Sequence, residues 1–203
     1  MPFHGERVEP HTAVAMGRVV TAVLNATDLA VGVNVLRNDA RTGLAIAAMT
    51  GARFVRINVH TGAYVTDQGL LQGRAAETLR YRAALDAEVA IFADVHVKHA
   101  TPLSTLSLDQ AAEETAYRGL ADALIVTGST TARPAARSDV VRVKQAVPDR
   151  PVFVGSGVTP ETIAETLTVA DGVIIGMALK MDGRTEADLD ASRVMRFAQL
   201  AGR

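Results

Sequence analysis

The chain has 203 residues, 48% of them hydrophobic and 21% charged, which is enough for one substantial core and reads as a single globular domain over residues 1–203. Its 21 Lys and Arg against 22 Asp and Glu leave a formal net charge of -1, which excludes a global field for nucleic acid or an anionic membrane and means that any anion is bound locally. The lack of cysteine excludes disulfides, thiolate metal sites and cysteine nucleophiles; the charged opening MPFHGERVEP has no apolar signal region and no run approaches the roughly 18–20 residues of a membrane span, so the expected location is cytoplasmic.

A helix is expected from about Thr12 to Asn25. Strand-like and helix-like segments then alternate without a domain break. The predicted strands are Ala30 to Leu36, Phe54 to Val59, Val89 to Val95, Ala123 to Thr127, Val152 to Val154 and Gly172 to Ile175. Helical stretches lie between them, with Asp39, Asp109, Asp139 and the pair Pro160 and Glu161 placed for N-terminal caps and first turns. Consecutive βα units imply a parallel sheet with helices outside. Helix-to-strand links are short, whereas HTGAYVTDQGLLQGR and GSTTARPAARS are long strand-to-helix links, so the long loops gather at the C-terminal ends of the strands. That asymmetry favours a TIM (β/α) barrel over a doubly wound sheet. A closed barrel needs eight strands, and only six are visible; the expectation is therefore an open, C-shaped partial barrel with unpaired edges near Val31 to Val35 and Val173 to Ile175, through which a second copy could associate.

Ionisable residues recur at every second position on neighbouring strands. Arg56, Asn58 and His60 share a face in RINVH, Asp94, His96 and Lys98 share one in ADVHVKH, and Asn34 lies in the preceding GVNVLRN. Facing inward at the upper layer of a barrel, they would converge on its mouth. Asp94 is either a buried partner of Arg56 or an acid/base or oxocarbenium-stabilising group with His96 beside it. Asn34, Arg56, Asn58, His60 and Lys98 are candidate substrate contacts. His99 should point away from Lys98. No HxH or HExxH spacing supports a metal, and no cofactor is expected. The stretches VGSGVTPET and IIGMALK each place glycine directly after a strand; Gly155, Ser156 and Gly157, with Gly176, Met177 and Ala178, are candidate phosphate ligands through backbone N–H groups at the last two strands. Tyr64, Asp67 and Arg74 in the first long loop could form a lid.

The stretch VGVNVLRNDARTGLAIAAMTGARFVRINVHTGAYVTDQGLLQGRAAETLRYR, together with ADVHVKHATPL, ADALIVTGSTT, VGSGVTPETI and ADGVIIGMALKMDG, closely resembles the BtpA/SgcQ family over nearly the whole chain. The resemblance implies a TIM barrel of the ribulose-phosphate-binding type. It also implies one of two roles: a nucleosidase-like enzyme acting on a phosphorylated sugar or nucleoside, or a factor in the biogenesis and stability of photosystem I. Family members begin with a strand, a helix and a second strand ending in a segment like NFGDxPF, whereas this chain starts at MPF; the first two strands of the family barrel are expected to be missing from it.

Overall fold

The computed structural model describes residues 6–66, 69–97, 100–128 and 135–202. Helix α1 (Pro10–Leu24) opens with proline in its first turn, where a missing N–H costs nothing. Strand β1 (Gly32–Val33) then leads into α2 (Ala40–Thr50), capped by Asp39, whose carboxylate accepts from the Thr42 N–H, and closed by Gly51 at φ 90°. The chain continues through β2 (Phe54–Ile57), a hairpin of β3 (Ala63–Thr66) and β4 (Gly69–Gln72), α3 (Ala75–Ala84), β5 (Ala90–Val95) and β6 (Ala100–Pro102). Next come α4 (Leu108–Glu113), β7 (Ala123–Val126), α5 (Arg137–Ala146), β8 (Val152–Val154), α6 (Ile163–Thr166), β9 (Gly172–Val173) and α7 (Ala191–Leu200).

Six strands form one parallel sheet in the order β1-β2-β5-β7-β8-β9, curled into a half-barrel with helices outside. The expected set of six parallel strands is therefore present, and the sheet is open: β1 and β9 each have one neighbour among the described residues. The two outer strands are shorter than expected, two residues each. A strand with a partner on one side has half the ladder to hold it extended.

The core lies between the sheet and its helices. Alternate residues Val55, Ile57, Ile91, Ala93, Val95, Leu124, Val126, Val152 and Val154 face outward and pack with Leu44, Ala47, Val140, Val143 and Ile163 from the helical layer. The opposite, concave face carries a ladder of aromatic rings, Phe54 on Phe92 at 4.5 Å between centroids and Phe92 on Phe153 at 5.1 Å. Glycines flank the ladder for a steric reason: a Cβ on Gly32 would lie 2.1 Å from the Phe54 ring, and one on Gly172 would lie 2.5 Å from that of Phe153. The outermost strands give up their side chains so that the rings of their neighbours can lie flat over them.

Two features were not expected. The long loop after β2 and the segment after β5 form a second, three-stranded antiparallel sheet, β4-β3-β6, at the C-terminal ends of β2 and β5. And α4, begun by a reciprocal capping box between Ser107 and Gln110, runs into a π-helical turn over Glu114–Arg118.

Leu124 is fully buried, so Leu124→Ala should lower the unfolding free energy by about 2–5 kcal/mol, whereas Leu70→Ala, at a half-exposed position on β4, should cost under about 1 kcal/mol. Urea denaturation of the two variants beside the parent checks the difference.

Candidate functional site

The concave face brings four of the candidate residues together through parity alone, because Asn34, Arg56, Asn58 and Asp94 occupy inward positions on β1, β2 and β5 or just beyond them. Asp94 is the centre. Arg56 Nε donates to its Oδ1 and Arg56 Nη2 to its Oδ2, both at 2.9 Å, in a bidentate pair, and Asn58 Nδ2 donates to Oδ2 at 2.9 Å. Asn34 completes the array, its Nδ2 donating to Asn58 Oδ1 at 3.1 Å and to the Arg56 carbonyl at 2.9 Å. The Asp94 side chain is wholly buried and that of Arg56 is 18% exposed. Of the two sequence readings of Asp94, the geometry provides the buried ion pair: three N–H groups converge on this carboxylate.

Arg56 reaches further. Its Nη2 lies 3.5 Å from where a Gly155 Cβ would sit, so the guanidinium extends across the bore from β2 to the end of β8. Its Nη1 has no acceptor among the described residues.

The other candidates are placed differently. Lys98 and His99 lie outside the described residues, as does Asp67. His60 does not join the cluster: it is fully buried against the end of the π-helical turn, its Nε2 2.7 Å from the Gly119 carbonyl, while its Nδ1 has no partner among the described residues. Burial pushes its pKa below 6.5, the Gly119 hydrogen bond opposing that shift. His96 is half-buried and adopts φ 52° just past β5; desolvation lowers its pKa, and the carboxylate acting against that shift is Asp139 of α5. Tyr64, read from sequence as part of a lid, is instead a buried residue of β3. Burial raises its phenol pKa, opposed by a hydrogen bond from the His96 backbone and reinforced by the Asp94 charge. Tyr64 is thus a neighbour of the site that its loop context concealed. Arg74 turns outward to Glu6 and Glu77.

At the last two strands the glycines separate into different tasks. Gly155 is a packing residue, since a Cβ there would meet Ile125 Cγ2 at 2.6 Å and Thr127 Cγ2 at 2.8 Å, and its N–H donates to the Val126 carbonyl. Gly157 sits at φ 75°, in the left-handed region open to glycine. Gly176 has open space beside its Cα and leads into a single 3-10 turn, Met177–Leu179. The helix following Gly157 is only four residues long and begins at Ile163, so a helix dipole adds little to this end of the sheet. The N–H groups of Ser156, Gly157, Val158, Gly176, Met177 and Ala178 have no acceptor among the described residues, and the buried Ser156 Oγ has no partner among them. No cluster of three metal-ligating side chains occurs among the described residues.

The profile of the BtpA family matches residues 1–203. The chain belongs to the BtpA family. It is 44% identical over 198 residues to the photosystem I biogenesis protein BtpA of Synechocystis sp., covering 98% of this chain and 69% of that one. It is 32% identical over 194 residues to the sgc region protein SgcQ of Escherichia coli, covering 95% and 72%. Among solved structures, N-(5'-phosphoribosyl)anthranilate isomerase from Pyrococcus furiosus aligns with a TM-score of 0.60 at 12% identity, over 100% of this chain and 85% of the isomerase. A structure described as native KDPGal aligns over 100% of both chains with a TM-score of 0.54 at 16% identity. At these identities the likeness establishes the fold of this BtpA-family chain, a TIM-barrel-like half-barrel. No described helix is long and apolar enough to cross a membrane.

Two measurements test the site's electrostatics. Arg56→Met strands the Asp94 charge and should cost about 3–5 kcal/mol, whereas combining it with Asp94→Leu should recover most of that loss; a double-mutant cycle by urea denaturation reads the coupling. An imidazole whose folded pKa lies below the unfolded value of 6.5 binds its proton more readily in the unfolded chain. The stability that His60 protects is therefore full above about pH 6.5 and declines as the pH falls below it, with a slope of up to about 1.4 kcal/mol per pH unit. His60→Gln keeps a donor for the Gly119 carbonyl, and its stability between about pH 7.5 and pH 5 should fall less steeply than the parent's.

Proposed function

We propose that the chain is the ligand-binding part of a barrel enzyme that takes a phosphorylated sugar or nucleoside at the C-terminal ends of its strands. The observation that carries this reading is the set of six backbone N–H groups without acceptors, from Ser156 to Val158 and from Gly176 to Ala178, following the neighbouring strands β8 and β9. Such N–H groups are the usual ligands of phosphate in irregular backbone, and they need no net positive charge on the protein. Arg56 supports the same reading, since its guanidinium spans the bore toward Gly155 and holds its terminal Nη1 without an acceptor among the described residues.

In this arrangement Asp94 is a positioning residue. It fixes the plane of the Arg56 guanidinium, and Asn58 and Asn34 fix Asp94 in turn. The proposed chemistry is cleavage or rearrangement of a bond at the anomeric region of the sugar, with the His96 imidazole, kept neutral at pH 7 by desolvation, as the proton-accepting group. A second reading rests on the 44% identity to the photosystem I biogenesis protein: the barrel as a non-catalytic scaffold working through its outer helices. Val14 and Val19, more than 60% exposed on α1, are the residues such a surface would use.

Ribose 5-phosphate should raise the melting temperature in proportion to binding, by about 2.7 kcal/mol of stability at a hundredfold excess over its dissociation constant, and ribose should not. Gly176→Asp places a carboxylate where a Cβ meets open space, so the variant should melt like the parent and lose the response. A response retained in Gly176→Asp, or no response to any of a set of phosphorylated sugars and nucleosides, would favour the scaffold.

A further inference from the structure

Outside the sheet, on the side away from Asp94, lies a cavity of about 370 Å3 between the starts of α2 and α3 and beneath β4. Its volume falls in the range of small-molecule sites, about 300–1,000 Å3. The apolar part comes from Ile57 and Val59, Leu71 and the ring of Tyr81. The polar part is a set of three arginines and three carboxylates, and the structure accounts for the carboxylates one by one. Asp39 accepts from the Val8 N–H at 2.9 Å, the Thr42 N–H at 3.0 Å and the Thr42 hydroxyl at 2.7 Å. Glu6 and Glu77 are both taken by Arg74, at 2.5 and 3.4 Å.

Two guanidinium groups are left. Neither Arg7 nor Arg41 has a carboxylate within 4.0 Å among the described residues. Arg41 is instead laid over the Tyr81 ring, its Cζ 4.0 Å from the centroid. Stacking holds the plane of a guanidinium while leaving its N–H edge free, and that edge matches the two oxygens of a planar anion. The wall carboxylates of Asp39, Glu6 and Glu77 disfavour a second negative charge in the same space, which selects a monoanion over a phosphate dianion. We infer that this cavity binds a small carboxylic acid with an apolar body, its carboxylate on the N–H edge of Arg41 and its body against Ile57, Val59, Leu71 and Tyr81. The site is separate from the concave face and does not depend on what binds there.

The test uses the full chain, with 3-phenylpropionate as the probe, its neutral amide 3-phenylpropionamide as the twin, and inorganic phosphate as the dianion, each followed by amide chemical shifts in solution. The expected result is saturable binding of 3-phenylpropionate with shifts at residues 38–41 and 70–81, at least tenfold weaker binding of the amide, and no shifts there with phosphate. Arg41 is exposed, so Arg41→Gln should fold and melt as the parent does and weaken the acid at least tenfold; Leu71→Glu, which adds a carboxylate to the wall, should do the same. In Gly176→Asp the acid should bind unchanged, and in Arg41→Gln any response to ribose 5-phosphate should persist, so that the two sites fail independently. Equal binding of acid and amide, acid binding unaltered by Arg41→Gln, phosphate shifts at these residues, or no shifts with the acid would each overturn the assignment.

Discussion

Everything on the concave face depends on how the charge of Asp94 is neutralised. A carboxylate with no exposed surface, in the middle strand of a parallel sheet, is tolerable only when its oxygens are met by donors, and Arg56 and Asn58 meet them from the adjacent strand. That requirement fixes the side-chain conformations of both neighbours and recruits Asn34 from the edge strand to orient Asn58. Register follows as well. Sliding β2 by one residue against β5 would turn Arg56 to the helical side and leave Asp94 alone, so the polar layer specifies the pairing as firmly as the valines behind it.

The two faces of the sheet are thereby given separate duties. The outward face holds the core, where Leu44, Leu124, Val143 and Ile163 are completely buried. The inward face is divided along the strands, with the Phe54, Phe92 and Phe153 rings toward the start and the polar network toward the end. Stability and ligand chemistry thus draw on different residues of the same strands, one parity for each.

Much of this was legible because side-chain parity in a strand is rigid. Alternation in RINVH and IFADVHVKH placed Arg56, Asn58 and Asp94 on one surface correctly, and the capping residue Asp39 marked the start of α2. Parity fails where the strand stops. β2 ends at Ile57, and by His60 the backbone has turned, so a residue that counts as inward is packed instead against Gly119. The small antiparallel sheet escaped notice for another reason: AYVT finds its second partner in ATP of β6, more than thirty residues on, and nothing local announces that pairing. Gly155 shows the ambiguity of glycine after a strand, because the signal that suggests phosphate also serves Ile125 and Thr127, which need the space.

The π-helical turn at Glu114–Arg118 gives the outer layer a register of its own. One wide turn takes up an additional residue without lengthening the helix by the usual step, and it ends at Gly119, whose carbonyl receives His60 and whose Cα passes so close to Thr61 that a Cβ would come within 2.7 Å of its methyl. A chain one residue shorter here would wind as a regular α-helix, rotating all that follows by roughly 100° about the axis. His60 would then lose its acceptor through a deletion more than fifty positions away. The tolerance of this family to insertions and deletions in α4 is in effect set by a histidine on the neighbouring strand connection.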